Sequence, residues 1–376
     1  MPPGTTGNIN KIPEESRMKR LCVFIGGAFA IILIACFIFT SCSDNSTDSN
    51  AVWNWRPLGS GTNGAVAGLT VYDSKLIVAG IFSQAGDSAA NNIAAWNGLK
   101  WYMLGSGCNG LVDVVEVYDG KLYAGGEFTA AGGIAANKIA CWDGTAWASL
   151  GTGMTGNDVK AMIVYNDKLI MGGDFAFAGG VVASHVAAWD GTSWSALGAG
   201  VNGVVWDLAV YDDKLIALGY FTHAGGVAAA GIASWDGASW APLGSGLNGF
   251  PWEMTVYYGD LVVAGSFTQA GGVAASYIAS WDGASWSPIG GGMNGSVYSL
   301  AVFNGKLIAS GLFTEAGGVA ADNVASWNGS SWSELGGGLD YRILEFEVWN
   351  GKLYGGGEFQ VAGGDSISYI AEWSYK

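Results

Sequence analysis

Seven tryptophans, Trp55, Trp101, Trp147, Trp194, Trp240, Trp286 and Trp332, recur at spacings of 46, 46, 47, 46, 46 and 46 residues. A second series, Trp96, Trp142, Trp189, Trp235, Trp281, Trp327 and Trp373, runs in step with the first. A period of this length confines the chain to a repeat architecture, in which each unit buries its apolar face only against its neighbours. The unit that starts at Trp240 reads WAPLGSGLNGFPWEMTVYYGDLVVAGSFTQAGGVAASYIASWDGAS.

Each unit resolves into four strand signals. In the sixth, strand a is VYSLAVF (297–303), b is KLIASGLF (306–313), c is NVASWNG (323–329) and d is SWSELGG (331–337). Asn304-Gly305 marks a tight a–b hairpin, and an Asn-Gly or Asp-Gly pair separates c from d at Asn97, Asp143, Asp190, Asp236, Asp282 and Asn328. Four antiparallel strands per repeat, with 62 glycines to turn the chain, predict an all-β, seven-bladed β-propeller over 52–376. A β-helix has shorter coils and a leucine-rich solenoid shorter repeats. The chain enters at a d strand (Trp55-Arg56-Pro57-Leu58-Gly59) and ends at a c strand (Tyr369-Ile370-Ala371-Glu372-Trp373). Seven complete blades therefore require residues 53–59 to pair with residues 369–375, which removes an open sheet edge.

Lys-Leu-Tyr-Ala-Gly-Gly (121–126), Lys-Leu-Ile-Met-Gly-Gly (168–173) and Lys-Leu-Tyr-Gly-Gly-Gly (352–357), each followed by aromatics such as Trp142 and Trp147, resemble the kelch repeat. The resemblance covers 52–376 and implies the propeller fold, with function left open. The chain departs from the kelch pattern in four repeats, where Ala79-Gly80, Leu218-Gly219, Ala264-Gly265 and Ser310-Gly311 replace the double glycine. The WDGxxWxxLG signature is similar to that of bacterial extracytoplasmic relatives.

Residues 21–39, LCVFIGGAFAIILIACFIF, carry no charge and follow Arg17, Lys19 and Arg20. A basic region, an apolar run, then Thr40-Ser41-Cys42 and the polar SDNSTDSN resemble a lipoprotein signal, which implies cleavage before Cys42 and its lipidation. Leu33-Ile34-Ala35-Cys36 fits the box locally but continues into apolar sequence. Met18 offers an alternative start, and an uncleaved signal anchor remains the competing reading. Either way residues 1–41 are a targeting segment, 42–51 a tether, and the propeller is expected outside the cytoplasm, membrane-anchored in the cell envelope, at the outer membrane or cell surface. Only Cys108 and Cys141 then lie within the propeller, and no disulfide is expected.

The net charge is −15. Residues 1–41 hold four basic and two acidic residues, leaving 12 basic and 29 acidic, or −17, beyond them. Such a surface repels phosphate backbones and argues against a nucleic-acid partner. Its two histidines, His185 and His223, fall in different slots of the repeat, so no metal or cofactor is expected. No HExxH, GxSxG or Walker loop is present. The Ser-Trp-Asp-Gly turn resembles the sialidase Asp-box, but two arginines, Arg56 and Arg342, cannot supply an arginine triad.

Function is expected where the repeat breaks. Strands a align on Tyr72, Tyr118, Tyr165, Tyr211, Tyr257, Phe303 and Trp349. Five positions earlier stand Ala67, Asp113, Lys160, Trp206, Trp252, Tyr298 and Leu344, and four earlier Gly68, Val114, Ala161, Asp207, Glu253, Ser299 and Glu345. Trp206, Trp252 and Tyr298, with Asp207 and Glu253 beside them and Phe250, Tyr341 and Arg342 just upstream, form the candidate ligand site at the mouth of the channel. Aromatics beside carboxylates suit sugar stacking or capture of a cationic group. A competing expectation comes from strand parity: these rings share phase with Leu208, Met254 and Leu300, which would place them between blades. The leading reading is a binding or scaffold propeller recognising protein, peptide or glycan through its loop face. A carbohydrate-active enzyme using Asp207 and Glu253 is the second reading, and a spacer without specific ligand is the third.

Overall fold

The computed structural model describes residues 53–375. The targeting segment, the tether and Cys42 lie outside the described residues. Every regular element described is a strand or turn, and seven antiparallel sheets of four main strands form the seven blades predicted, the third carrying a short extra strand at Val181–Val182. Blade 1, for example, has strands a Val66–Tyr72, b Lys75–Gly80, c Ile93–Trp96 and d Trp101–Met103. The a strands of consecutive blades contact one another around the whole ring, blade 7 to blade 1 included. Closure follows the expected route. Trp53–Pro57 pairs antiparallel with Ile370–Tyr375, with Trp55 opposite Trp373, and completes blade 7 from the other end of the chain.

The two tryptophan series explain why the repeat is written as it is. The c and d tryptophans are cross-strand neighbours, as in Trp142 and Trp147, with ring centroids 5.5 Å apart. The d tryptophan also reaches back one blade. Trp147 Nε1–H donates to the Leu104 carbonyl at 2.8 Å, and Trp240 repeats the bond to Leu197 at 2.8 Å. In five of the seven blades the leucine of a WxxLG motif is thus the acceptor for the next blade's tryptophan; the indole N–H groups of Trp101 and Trp332 make no such bond. The apolar interior accordingly divides into seven clusters, each shared by two adjacent blades. Burying an aromatic of this size contributes on the order of 1.5–3 kcal/mol.

The glycine turns between c and d are Asx turns. Asp282 Oδ1 accepts from the amides of Ala284 and Ser285, both at 2.8 Å, and Asn97, Asp143, Asp190, Asp236 and Asn328 repeat the pattern in the five other blades that have a c–d turn. These aspartates close the turns that join c to d.

Three features were not foreseen. The b–c connection carries its own two-stranded ribbon, such as Glu315–Ala316 against Val319–Ala320, in six of the seven blades. A side chain at the start of the d–a connection clasps each ribbon, Asp340 in blade 7 and an asparagine in the other five: Asn109 Oδ1 accepts the amides of Thr129 and Ala130, both at 2.9 Å. Cys108 is a buried bridge partner of Ala131 at this point, while Cys141 is half-buried; both are free thiols. In blade 3 the Asn-Gly pair is reversed to Gly156-Asn157. The inner strands there run on as Met154–Tyr165 and Lys168–Ala178.

The third feature is a β-bulge in every a strand. In blade 4 Val205 pairs with Gly219 and Asp207 with Leu218, leaving Trp206 unopposed. Ala67, Asp113, Lys160, Trp252, Tyr298 and Leu344 are the bulged residues elsewhere. A bulge inserts one residue and resets the side-chain alternation. Trp206 is therefore out of phase with Leu208, and the parity argument for placing the rings between blades fails for this reason. The same geometry explains the kelch departures. The second glycine of each pair, such as Gly265, sits where a Cβ would strike the strand a backbone, 2.6 Å from Pro251 Cα. The first position is free to be Ala, Leu or Ser.

Candidate functional site

Each bulge turns strand a toward the channel, and all the variable positions read from the sequence except Ser299 line it. A cavity of about 550 Å³ opens where the a strands begin, and Trp206, Asp207, Trp252, Glu253, Tyr298 and Arg342 all border it. Phe250 stands outside it, at the rim, 44% exposed.

The aromatics form a ladder from solvent into the cavity. Tyr220, at the rim and exposed, stacks on Phe250 with centroids 4.6 Å apart. Phe250 lies parallel to Trp252 at 6.3 Å, and Trp252 stacks on Tyr298 at 5.4 Å. Trp206 meets Trp252 edge-on at 5.1 Å. Trp252 is fixed by its Nε1–H donating to Ser266 Oγ at 3.1 Å, and Ser266 Oγ contacts Ser296 Oγ at 2.7 Å. Each end of the arc carries a cation of the chain itself. Arg342 Cζ lies 4.1 Å from the Tyr298 ring centre and Lys160 Nζ 5.5 Å from that of Trp206. The Trp252 face between them carries no such cation among the described residues.

Deeper in the channel the wall is acidic. Besides Asp207 and Glu253, the cavity is lined by Asp113, Glu116, Glu345 and Glu347. Six carboxylates thus face two cations, Lys160 and Arg342. Both cations are already engaged. Lys160 Nζ lies 3.0 Å from Asp113, 3.2 Å from Asp158 and 3.6 Å from Glu127, and Arg342 Nε donates to Glu358 at 2.7 Å. Burial pulls the Lys160 ammonium down, but Asp113 and Asp158 more than offset it and leave its pKa raised. Asp113 is nonetheless pushed up to about 6, because its own burial outweighs one shared ammonium.

The remaining carboxylates have no cation facing them and titrate high. Asp207 accepts the amides of Leu208 at 2.7 Å and Met254 at 2.8 Å, tying blade 4 to blade 5, yet burial still raises it to about 7. Glu347 is also raised to about 7 by burial. Burial and the Asp207 charge lift Glu253 and Glu345 well above the usual carboxylate range. No hydrogen bond from the described residues holds the Glu253 carboxylate. The neighbouring Phe346 amide offsets only part of the rise at Glu345.

The sequence pointed to Trp206, Asp207, Trp252, Glu253, Tyr298 and Arg342, and the structure brings these six together. It did not point to Tyr220, Glu116 or Glu347. Glu116 and Glu347 stand two positions before the a-strand anchor, where other blades carry Thr, Ile or Ala; that departure was the available signal. Tyr220 ends strand b, beyond the a strands on which the search was aligned. His185 and His223 take local partners: the Gly173 carbonyl at 3.2 Å and the Thr222 hydroxyl at 3.0 Å respectively.

These features define a seven-bladed β-propeller with an aromatic, acidic channel mouth. A β-propeller family model, described as a domain of unknown function (DUF5122), matches residues 119–141. Among solved structures, the chain is similar to the WD40 β-propeller domain of Doa1, with TM-score 0.56 and 14% identity, over 87% of this chain and 97% of that one. It is also similar to the extracellular domain of a putative one-component system from B. thetaiotaomicron, with TM-score 0.57 and 10% identity. That match covers 86% of this chain and 40% of the other. No curated protein matches it. At such identities the likeness is one of fold.

Proposed function

We propose that this chain is a kelch-like binding propeller of the cell envelope, anchored through its N-terminal segment. It engages a protein, peptide or glycan at the end of the ring where the channel opens. The observation that carries the reading is the stacked arc Phe250–Trp252–Tyr298 beside Trp206, set over carboxylates and open to solvent through the exposed Tyr220. Protein interiors close-pack rings of this size, whereas these border an open cavity. The reading is one of binding without turnover. Asp207 is engaged by two backbone amides, which suits a fixed wall residue better than a proton-transferring one.

The test compares wild-type protein with Trp206→Ala and Trp252→Ala on glycan and peptide arrays. Wild-type ligands that either variant loses are the expected result. Unaltered binding by both variants overturns the assignment of the site. A wild-type protein that binds nothing favours the spacer. Hydrolysis of chromogenic glycosides that Glu253→Gln abolishes would replace the binding reading with an enzymatic one.

A further inference from the structure

Resting on the reading of the channel mouth as a ligand site, we infer that its ligand presents an alkylammonium group, carried by a lysine side chain of the partner or by a free polyamine, which slides along Trp252 and ends between Glu253 and Glu345.

Three independent observations lead there. The first is the aromatic wall. Rings attract diffuse organic cations through their faces, and the chain already places Lys160 against Trp206 and Arg342 against Tyr298. Trp252, stacked on Tyr298 and edge-on to Trp206, separates these two cations on the same wall. The second is a set of acceptors without donors. Glu253, which borders the cavity, accepts no hydrogen bond from the described residues. Asp113 Oδ2 is likewise buried without a partner. An ammonium carries three donors and no acceptor, which complements such a floor. The third is the spread of the acids. Among the described residues no three acidic, histidine or cysteine side chains converge closely enough to hold a metal ion. An elongated organic cation fits dispersed carboxylates inside about 550 Å³ better than a compact divalent ion does.

The charge balance makes the site pH-dependent. Blade 2 contributes Asp113 and Glu116, blade 3 Lys160, blades 4 and 5 Asp207 and Glu253, and blade 7 Arg342, Glu345 and Glu347. Blade 1 contributes no ionisable group to the lining, and blade 6 only Tyr298. An entering ammonium competes with the protons these carboxyls hold, so binding releases protons and strengthens as pH rises from 5 to 8.

Isothermal titration with spermidine, with a lysine-containing peptide and with its norleucine counterpart tests the inference. Spermidine and the lysine peptide serve as the free and side-chain sources of the ammonium. Binding of at least one of these two, but not of the norleucine peptide, is expected. Affinity should fall about tenfold in Trp252→Ala and be largely restored in Trp252→Phe, as loss and recovery of a cation–ring contact require. Glu253→Gln, which keeps shape, should weaken binding and reduce the protons released. Thermal melts of each variant separate lost binding from lost folding. The inference is overturned if neither ammonium probe binds, if the norleucine peptide binds equally well, or if Ca²⁺ alone binds in a Glu253-dependent way. Should the ammonium probes fail while a glycan or neutral peptide still binds through Trp252, the ammonium assignment falls and the binding site stands. If no ligand depends on Trp252, both fall.

Discussion

The bulged residue of strand a is the position on which this molecule turns. Trp206, Trp252 and Tyr298 could be singled out in the sequence because they vary where their neighbours repeat. Their orientation could not be read, since regular alternation placed them between blades and only the bulge brings them inward. The bulge does leave a trace, the single glycine kept in all seven b strands, but its meaning depends on a backbone approach visible only in three dimensions. Gly265→Ala tests this. Its new Cβ meets the Phe250 carbonyl and Pro251 Cα, and the expected loss is about 1–3 kcal/mol in urea denaturation, as for other overpacked sites. Ala264→Gly, which recreates the double glycine of blade 2, should cost only about 1 kcal/mol. A Gly265→Ala protein as stable as wild type would show that strand a yields there, and the close approach would not explain the glycine.

At the scale of elements, the four strands per blade and the closing strand were legible because each leaves a chemical mark: the Lys-Leu start of b, the Asn-Gly or Asp-Gly turn, the paired tryptophans. The b–c ribbons were not, because Ala-Gly-Gly sequences without large side chains give no period to detect. What holds them, an asparagine or aspartate some twenty residues earlier, is a tertiary contact. The closing strand makes the clearest test. Trp55 is 1% exposed, pairs with Trp373 and donates to the Leu335 carbonyl at 3.3 Å, so it joins three segments at once. Trp55→Ala should cost about 3–5 kcal/mol, the range for large buried aromatics, and deletion of residues 53–59 should lower the melting temperature further. Calorimetry showing an unchanged transition in the deletion variant would mean that blade 7 holds without its outer strand.

Over the whole molecule, the acidity evident in the composition is partly internal. Six carboxylates line the channel, and the resulting pH dependence has a definite sign. Asp207 and Glu347 titrate near 7 and Asp113 near 6 in the folded chain, all above their ordinary values near 4. The folded state therefore binds more protons than the unfolded state between about pH 4 and 7, and stability must fall as pH rises through that window. The exposed turn aspartates act in the opposite sense. Backbone and Thr145 hydrogen bonds hold Asp143 at about 2, and similar bonds lower Asp236 and Asp282, so their contribution is present above about pH 4 and is lost below it. Stability should thus peak near pH 4–5, with a melting temperature about 2–5 °C above that at pH 8. Surface self-repulsion at net −15 has the same sign on the alkaline side, so the profile alone does not assign the effect to the channel. Glu345→Gln with Glu347→Gln does. Removing two half-buried charges that no cation faces should raise the melting temperature at pH 8 and flatten the neutral limb, while leaving the acid limb set by the turns. A double variant whose profile parallels wild type would place the pH dependence on the outer surface.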